Sequence, residues 1–215
     1  MNNSFFPKGY SKVPSTPIYR PHTVGGGKTI DINNYLFRCS YLDKLSTKRK
    51  EYSAFLLNLY HQVVNNIEIV LETEAMTYGI EHEQEAIDLV NSIRGTDYVK
   101  ADVYKSNDYI EGHPDIITND HIIDIKCPLE STFNSMTYKL ALRRYKKQLV
   151  GYCWLFNKQY AEILFCSLET KKIKKFRFEV MPQDIQELER EVTKYRMLWN
   201  KWRLSGINTL TDLPY

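Results

Sequence analysis

The sequence has no large excess of either charge: 29 Lys and Arg stand against 26 Asp and Glu, a net +3. A surplus this small does not by itself indicate a polyanionic partner. An acidic site also hides basic residues in the total, so a local basic patch stays open. Cysteine is sparse, with four residues at positions 39, 127, 153 and 166 and no Cys-x-x-Cys. That excludes the common zinc and iron–sulfur spacings and reads as reduced, buried thiols in a cytoplasmic protein. No apolar run approaches the length of a membrane span. The first ten residues lack the basic start and apolar run of a secretory leader. Internal repeats and low-complexity blocks are absent.

What remains is a 215-residue chain, 43% hydrophobic and 26% charged, with 16 tyrosines. Such a chain can bury a real core, and tyrosine suits both core and groove. Pro7, Pro14, Pro17, Pro21 and the run Gly25-Gly26-Gly27-Lys28 mark residues 1–29 as an extended arm, leaving 30–215 as a single domain. The Gly-rich run lacks the spacing and the preceding apolar strand of a phosphate-binding loop, so it reads as a linker.

Apolar spacing predicts helices over residues 47–65 and 73–94, the second stopping at Gly95. The period then changes. Short strands are expected at 98–104, 109–112, 115–118 and 122–126, with Asn119-Asp120 as the turn between the last two. A helix over 137–156, strands at 161–168 and 174–180, and a closing helix over 183–204 complete the order. The expected fold class is α/β (α+β), a mixed central sheet flanked by helices.

Chemistry concentrates in the hairpin from Gly112 to Lys126. Asp124 and Lys126 are two apart on a strand and share a face, while Ile123 and Ile125 take the other. The turn brings Asp115 back toward that pair. Two carboxylates beside a lysine can hold a hard divalent cation, which polarises a phosphate oxygen and acidifies a water. The lysine would orient that water or offset charge on the phosphorane. An ordinary Asp–Lys pair on a surface hairpin fits the same spacing.

Glu83 falls within a stripe of Met76, Ile80, Ile87 and Val90 on the second helix. A carboxylate on a core-facing stripe must be paired, protonated or bound to metal, and a buried salt bridge is the plain alternative. On the third helix Gln148 and Tyr152 share a face at i and i+4. Arg143, Arg144, Lys146 and Lys147 precede them, with Tyr138, Tyr145 and Trp154 interleaved. This face can lie along a phosphate backbone, or be a solvated charged face over a tyrosine stripe.

Taken in order, these pieces resemble the PD-(D/E)XK nuclease superfamily, a restriction-endonuclease-like fold. Within it they are similar to the phage lambda exonuclease group, the YqaJ-type viral recombinases. That group has a Gly-xxx-Glu helix, and Gly79-Ile80-Glu81-His82-Glu83 matches it. Its Pro-Asp turn is matched by Pro114-Asp115, its Glu-Leu-Lys-Cys-Pro by Asp124-Ile125-Lys126-Cys127-Pro128, and its Gln before Tyr by Gln148 and Tyr152. The match covers roughly residues 35–180. The resemblance implies Glu83, Asp115 and Asp124 as metal ligands, with the Ile125 carbonyl joining them. It implies Lys126 as the catalytic lysine, with Gln148 positioning the site and Tyr152 supporting it on the DNA side. Phe37-Arg38-Cys39-Ser40 resembles the segment that reads a 5′ phosphate, so Arg38 and Ser40 are candidates; Ser40 as a helix cap is the alternative. Arg143 and Arg144 are further candidates for DNA contact.

Two departures stand out. His113 replaces the family serine before Pro-Asp, which alters phosphate contacts and makes His113 a candidate donor. No counterpart of the family's longer N-terminal segment is present. Cluster-binding relatives need cysteines that this chain lacks.

The resemblance therefore implies a Mg²⁺-dependent deoxyribonuclease, with Mn²⁺ as substitute. It would degrade double-stranded DNA ends 5′ to 3′ for phage-type recombination, as a ring-shaped homotrimer with a single-strand annealing protein as partner and no membrane association. The expected location is the cytoplasm, that of the host cell if phage-encoded. The same site would serve an endonuclease or a nuclease of single-stranded or branched DNA. A non-catalytic DNA-binding module is the rival from another class, but it has no need of three clustered carboxylates that repel phosphate.

Overall fold

A computed structural model describes residues 18–21, 23–24, 28–29, 32–45, 50–65, 67–70 and 74–206. The chain opens with strands β1 (Ile18–Pro21), β2 (Thr23–Val24) and β3 (Lys28–Thr29), then a 3-10 turn at Ile32–Asn34 and β4 (Phe37–Arg38). A second 3-10 turn, Cys39–Tyr41, leads into α1 (Leu42–Leu45), α2 (Lys50–Val64) and β5 (Ile67–Val70). Helices α3 (Glu74–Glu81) and α4 (Glu83–Arg94) precede four strands: β6 (Lys105–Ser106), β7 (Ile110–Gly112), β8 (Ile116–Ile117) and β9 (His121–Lys126). Then come α5 (Glu130–Ser135), α6 (Tyr138–Phe156), β10 (Tyr160–Ser167), β11 (Lys172–Glu179) and α7 (Pro182–Ser205).

The main sheet runs β11-β10-β9-β8, with β9 and β10 parallel and the outer pairs antiparallel. A smaller sheet, β4-β7-β6, sits beside it. Strand β1 pairs antiparallel with β5, and β2 with β3. Of the arm expected at 1–29, only β1 to β3 are described; the glycine run lies outside the described residues.

Strand β9 is central, so both its faces are covered. Ile123 and Ile125 pack with Leu164 and Cys166 against Ala86, Ile87 and Val90 of α4. Ile122 looks the other way, with Ala161, Ile163 and Phe165, into the larger core built by α6, α2 and α7. At least one charged group follows the alternation inward: Glu162 is buried on β10 and is met by Arg94 at 2.9 Å. Trp199 of α7 closes the large core, stacked on Tyr35 at 4.4 Å and donating its indole N–H to the Ile32 carbonyl at 3.0 Å. This is a restriction-endonuclease-like core: a mixed sheet between helical layers.

The helix ends follow local chemistry. Thr137 Oγ1 accepts from the Leu140 amide at the start of α6, and Asn157 takes the left-handed conformation at its end. Gly95 does the same for α4. All four cysteines are free and buried. Among the described residues, no helix is long and apolar enough to cross a membrane.

The structure corrects three expectations. The helix expected at 73–94 is two helices broken at His82, whose Nδ1 hydrogen-bonds the Tyr78 carbonyl at 2.9 Å and whose ring stacks on Tyr78. Met76 and Ile80 are consequently exposed, at 49% and 73%, rather than continuing the stripe of Ile87 and Val90. The strand expected at 98–104 is irregular: Tyr98 packs on the core of α4, but Val99, Val103 and Tyr104 are exposed, so no continuous face is buried. Its backbone is held instead by Tyr98 N–H to Asn91 Oδ1 and Ala101 N–H to the Asp115 carbonyl. Third, α5 forms where no element was expected, as do β4, α1, β5 and β6. Residues 47–49 and 73 of the expected helices lie outside the described residues.

Two glycines set the approach of β7 to α6. A β-carbon at Gly112 would lie 2.9 Å from Cys39 Sγ and 2.7 Å from the Tyr152 ring. One at Gly151 would lie 2.8 Å from the same sulfur and 2.9 Å from Leu42 Cδ1. Overpacking of this kind costs about 1–3 kcal/mol. Gly151→Ala is therefore expected to destabilise the protein by about that amount in urea unfolding, with Cys39→Ala in the same chain recovering part of it. No recovery would show that the sulfur is not the obstacle.

Candidate active site

The hairpin β8–β9 forms with Ile116 opposite Ile123 and Ile117 opposite Ile122, closed by the Thr118 amide donating to the His121 carbonyl at 3.0 Å. That register sets Asp115, one residue before β8, across from Asp124. Asp115 Oδ2 accepts the Ile125 amide at 2.6 Å. Burial, joined by the charge of Asp124, pushes the Asp115 carboxyl up to about 7, against the pull of Lys126 and the Ile125 amide.

Asp124 shares the parity of Ile122, so it faces α6 rather than solvent and is only 2% exposed. Gln148 of α6 donates from Nε2 to Asp124 Oδ1 at 2.9 Å and to the Tyr152 hydroxyl at 3.2 Å. Lys126 Nζ lies 2.7 Å from Asp124 Oδ2, an ion pair. That oxygen is sealed from solvent, so the Lys126 ammonium is what answers its charge. Burial works to lower the Lys126 pKa, yet Asp124 and Asp115 outweigh it and hold the ammonium above the ordinary lysine range. The Tyr145 ring centroid is 5.6 Å from Lys126 Nζ.

The two faces of α6 divide its residues. Tyr152 is buried, and burial pushes its phenol far up, so it stays protonated. It supports Gln148 from within the core and is not on the surface as a DNA contact, which corrects that expectation. Lys146 pairs with Asp184 at 2.6 Å and Lys147 with Glu191, tying α6 to α7. Arg143 and Arg144 stay exposed on the same helix.

Glu83 stands in the first turn of α4, where the helix dipole favours a carboxylate. It begins the face of α4 that carries the buried Ala86, Ile87 and Val90, at the half-buried end of that stripe. Its side chain is 28% exposed and pairs with Lys100 at 2.6 Å. Among the described residues, no three His, Cys, Asp or Glu side chains converge to hold one ion. The structure thus brings Asp115, Asp124, Lys126 and Gln148 together and leaves Glu83 engaged elsewhere.

Arg38 on β4 lies beside Glu111, with Nε 3.7 Å from the carboxylate and Nη1 donating to the Tyr41 hydroxyl at 3.4 Å. Ser40 is exposed within the 3-10 turn, ahead of α1 rather than at its cap. His113 is half-buried between β7 and Asp115.

Sequence reading missed Asp43 of α1. Its carboxylate accepts the backbone amides of Lys147 at 3.1 Å and Gln148 at 2.9 Å, so it fixes the stretch of α6 that carries Gln148. Lys100 was missed as well, and Tyr145 was read only as part of the basic helix face, not as the ring beside Lys126. The only sequence signal for any of the three was the place of Tyr145 on the helix of Gln148.

The donor set fits a hard cation. Asp115 and Asp124 offer oxygens, and the sealed Asp124 Oδ2 has spare accepting capacity.

No protein-family model and no curated protein matches the chain. Solved structures do. A phage-related exonuclease from Haemophilus somnus 129PT superposes with a TM-score of 0.70 at 19% identity, over 82% of this chain and all of the other. The alkaline exonuclease LHK-Exo from Laribacter hongkongensis gives 0.65 at 17% identity, over 77% of this chain and 88% of its own. Its complex with dAMP gives 0.65 as well, over 81% and 95%. At these identities the likeness is one of fold.

Asp43 supplies a pH test. Burial, against the Gln148 and Lys147 amides, raises its carboxyl from an ordinary 3.8 to about 6. Between about pH 4 and about pH 6 it ionises in the unfolded chain before the folded one, so the folded state holds more protons and loses stability as pH rises. The loss is at most about 3 kcal/mol, and less after solvent screening at this half-buried position. Asp43→Asn is expected to flatten the slope of unfolding free energy across that window. An unchanged slope would mean Asp43 ionises alike in both states.

Proposed function

We propose that this chain is a metal-dependent deoxyribonuclease that degrades duplex DNA from its ends, 5′ to 3′. The observation that carries the reading is the pairing of half-buried Asp115 and buried Asp124 with Lys126 and Gln148 at the β8–β9 hairpin, set in a fold shared with solved exonucleases. Asp115 and Asp124, with the Ile125 carbonyl and Glu83, would hold Mg²⁺ or Mn²⁺. Such an ion supplies a polarised phosphate oxygen and a water acidic enough to attack at neutral pH.

The chain's own residues do the rest. Gln148 fixes the Asp124 carboxylate by its Oδ1, leaving Oδ2 for the cation and Lys126. Lys126 keeps its proton, so it acts as a fixed positive charge beside the phosphate and offsets the charge that builds as water attacks. A general-base role does not suit a lysine held in its charged form. Arg143 and Arg144 are exposed on the helix of Gln148 and would meet backbone phosphates. Arg38, Ser40 and His113 would meet a phosphate at the DNA end. The motif resemblance extends the reading to a homotrimer and a single-strand annealing partner.

The test is incubation of the purified protein with linear and with closed circular duplex DNA, in Mg²⁺ or EDTA, beside Lys126→Ala. Linear DNA is expected to be lost only with Mg²⁺, 5′-phosphorylated ends first. The variant should be slower by about 10²–10³-fold or more. Cutting of the circle would replace the exonuclease with an endonuclease. Binding of DNA without cleavage would leave a non-catalytic module.

A further inference from the structure

Lys100 and Glu83 form an ion pair at 2.6 Å across 17 residues of sequence. The pair joins the irregular segment after α4 to the first turn of α4 itself. That segment is held on both sides of Lys100. Tyr98 is clamped by Asn91 of α4, its amide donating to Asn91 Oδ1 at 2.8 Å and its carbonyl accepting from Asn91 Nδ2 at 2.9 Å. The Ala101 amide donates to the carbonyl of Asp115 at 2.7 Å. Lys100 is thus fixed between the helix that carries Glu83 and the half-buried Asp115. The charge of Glu83 also reaches Asp115.

We propose that Lys100 is a built-in counter-cation for Glu83: in the metal-free protein its ammonium holds this carboxylate, and a divalent ion gains Glu83 as a third oxygen ligand only by displacing Lys100. The inference rests on the reading of Asp115 and Asp124 as a cation site. Two features fit an exchangeable pair. The Lys100 side chain is 45% exposed, so the ammonium can return to water without a large loss. Glu83 keeps the stabilising field of the α4 N-terminus when the lysine leaves. Lys100 thereby sets metal affinity without being a ligand.

The test is Mn²⁺ binding to DNA-free protein, read from the electron paramagnetic resonance signal of free Mn²⁺. Lys100→Met is expected to bind Mn²⁺ about fivefold more tightly than the wild type, the scale of one half-exposed ion pair. Lys100→Arg, which keeps the cation, is expected to match the wild type. In a Glu83→Gln background the Lys100→Met gain should vanish. Mn²⁺ binding that is lost in Asp124→Asn but unchanged or weaker in Lys100→Met overturns this inference alone. Absence of any Mn²⁺ binding that depends on Asp124 overturns the cation site and this inference together.

Discussion

A carboxylate sealed inside the protein governs this architecture. Asp124 is on a central strand, on the face that meets α6, where water cannot compensate its charge. Lys126 answers one oxygen and Gln148 the other. Each compensating group then needs support. Gln148 also donates to Tyr152, and its backbone is gripped by Asp43 of α1. Removing one partner of such a buried pair typically costs about 3–5 kcal/mol, because the other charge is left unanswered. The polar network therefore ties α1, α6, β8 and β9 into one unit, and the same geometry keeps the buried charge of Asp124 tolerable.

The positive charges are divided by the same logic. Lys146 and Lys147 neutralise acids of α7. Lys174 closes the end of α5 by donating to the carbonyls of Phe133, Asn134 and Met136. Arg94 answers the buried Glu162, and Arg177 approaches it from the edge strand at 3.9 Å. Much of the basic content is structural. On α6, Lys139, Arg143 and Arg144 stay exposed to solvent. This is why a net charge of +3 says little about partners.

The parts that sequence made legible are those written in short periods. Strand β9 and helices α6 and α7 were visible in apolar alternation, with boundaries within two residues. The shared face of Asp124 and Lys126 followed from a spacing of two, and that of Gln148 and Tyr152 from a spacing of four. The stripe of Met76, Ile80, Ile87 and Val90 misled, because its period ran through a break that one histidine makes by bonding the Tyr78 carbonyl. Residues 98–104 carry strand-forming side chains, yet only Tyr98 reaches an apolar layer, while Val99, Val103 and Tyr104 are exposed. Asp43 lies 105 residues from Gln148, and Lys100 depends on a loop path that no local pattern encodes.

Whether Asp115 and Asp124 form the proposed divalent-cation site is read from thermal unfolding of wild-type protein and Asp124→Asn with and without millimolar Mn²⁺. Mn²⁺ is expected to raise the melting temperature of the wild type, since an ion that binds only the folded state stabilises it by mass action, and to leave the variant unmoved. A wild-type protein indifferent to the ion, or a variant that gains as much, would contradict it.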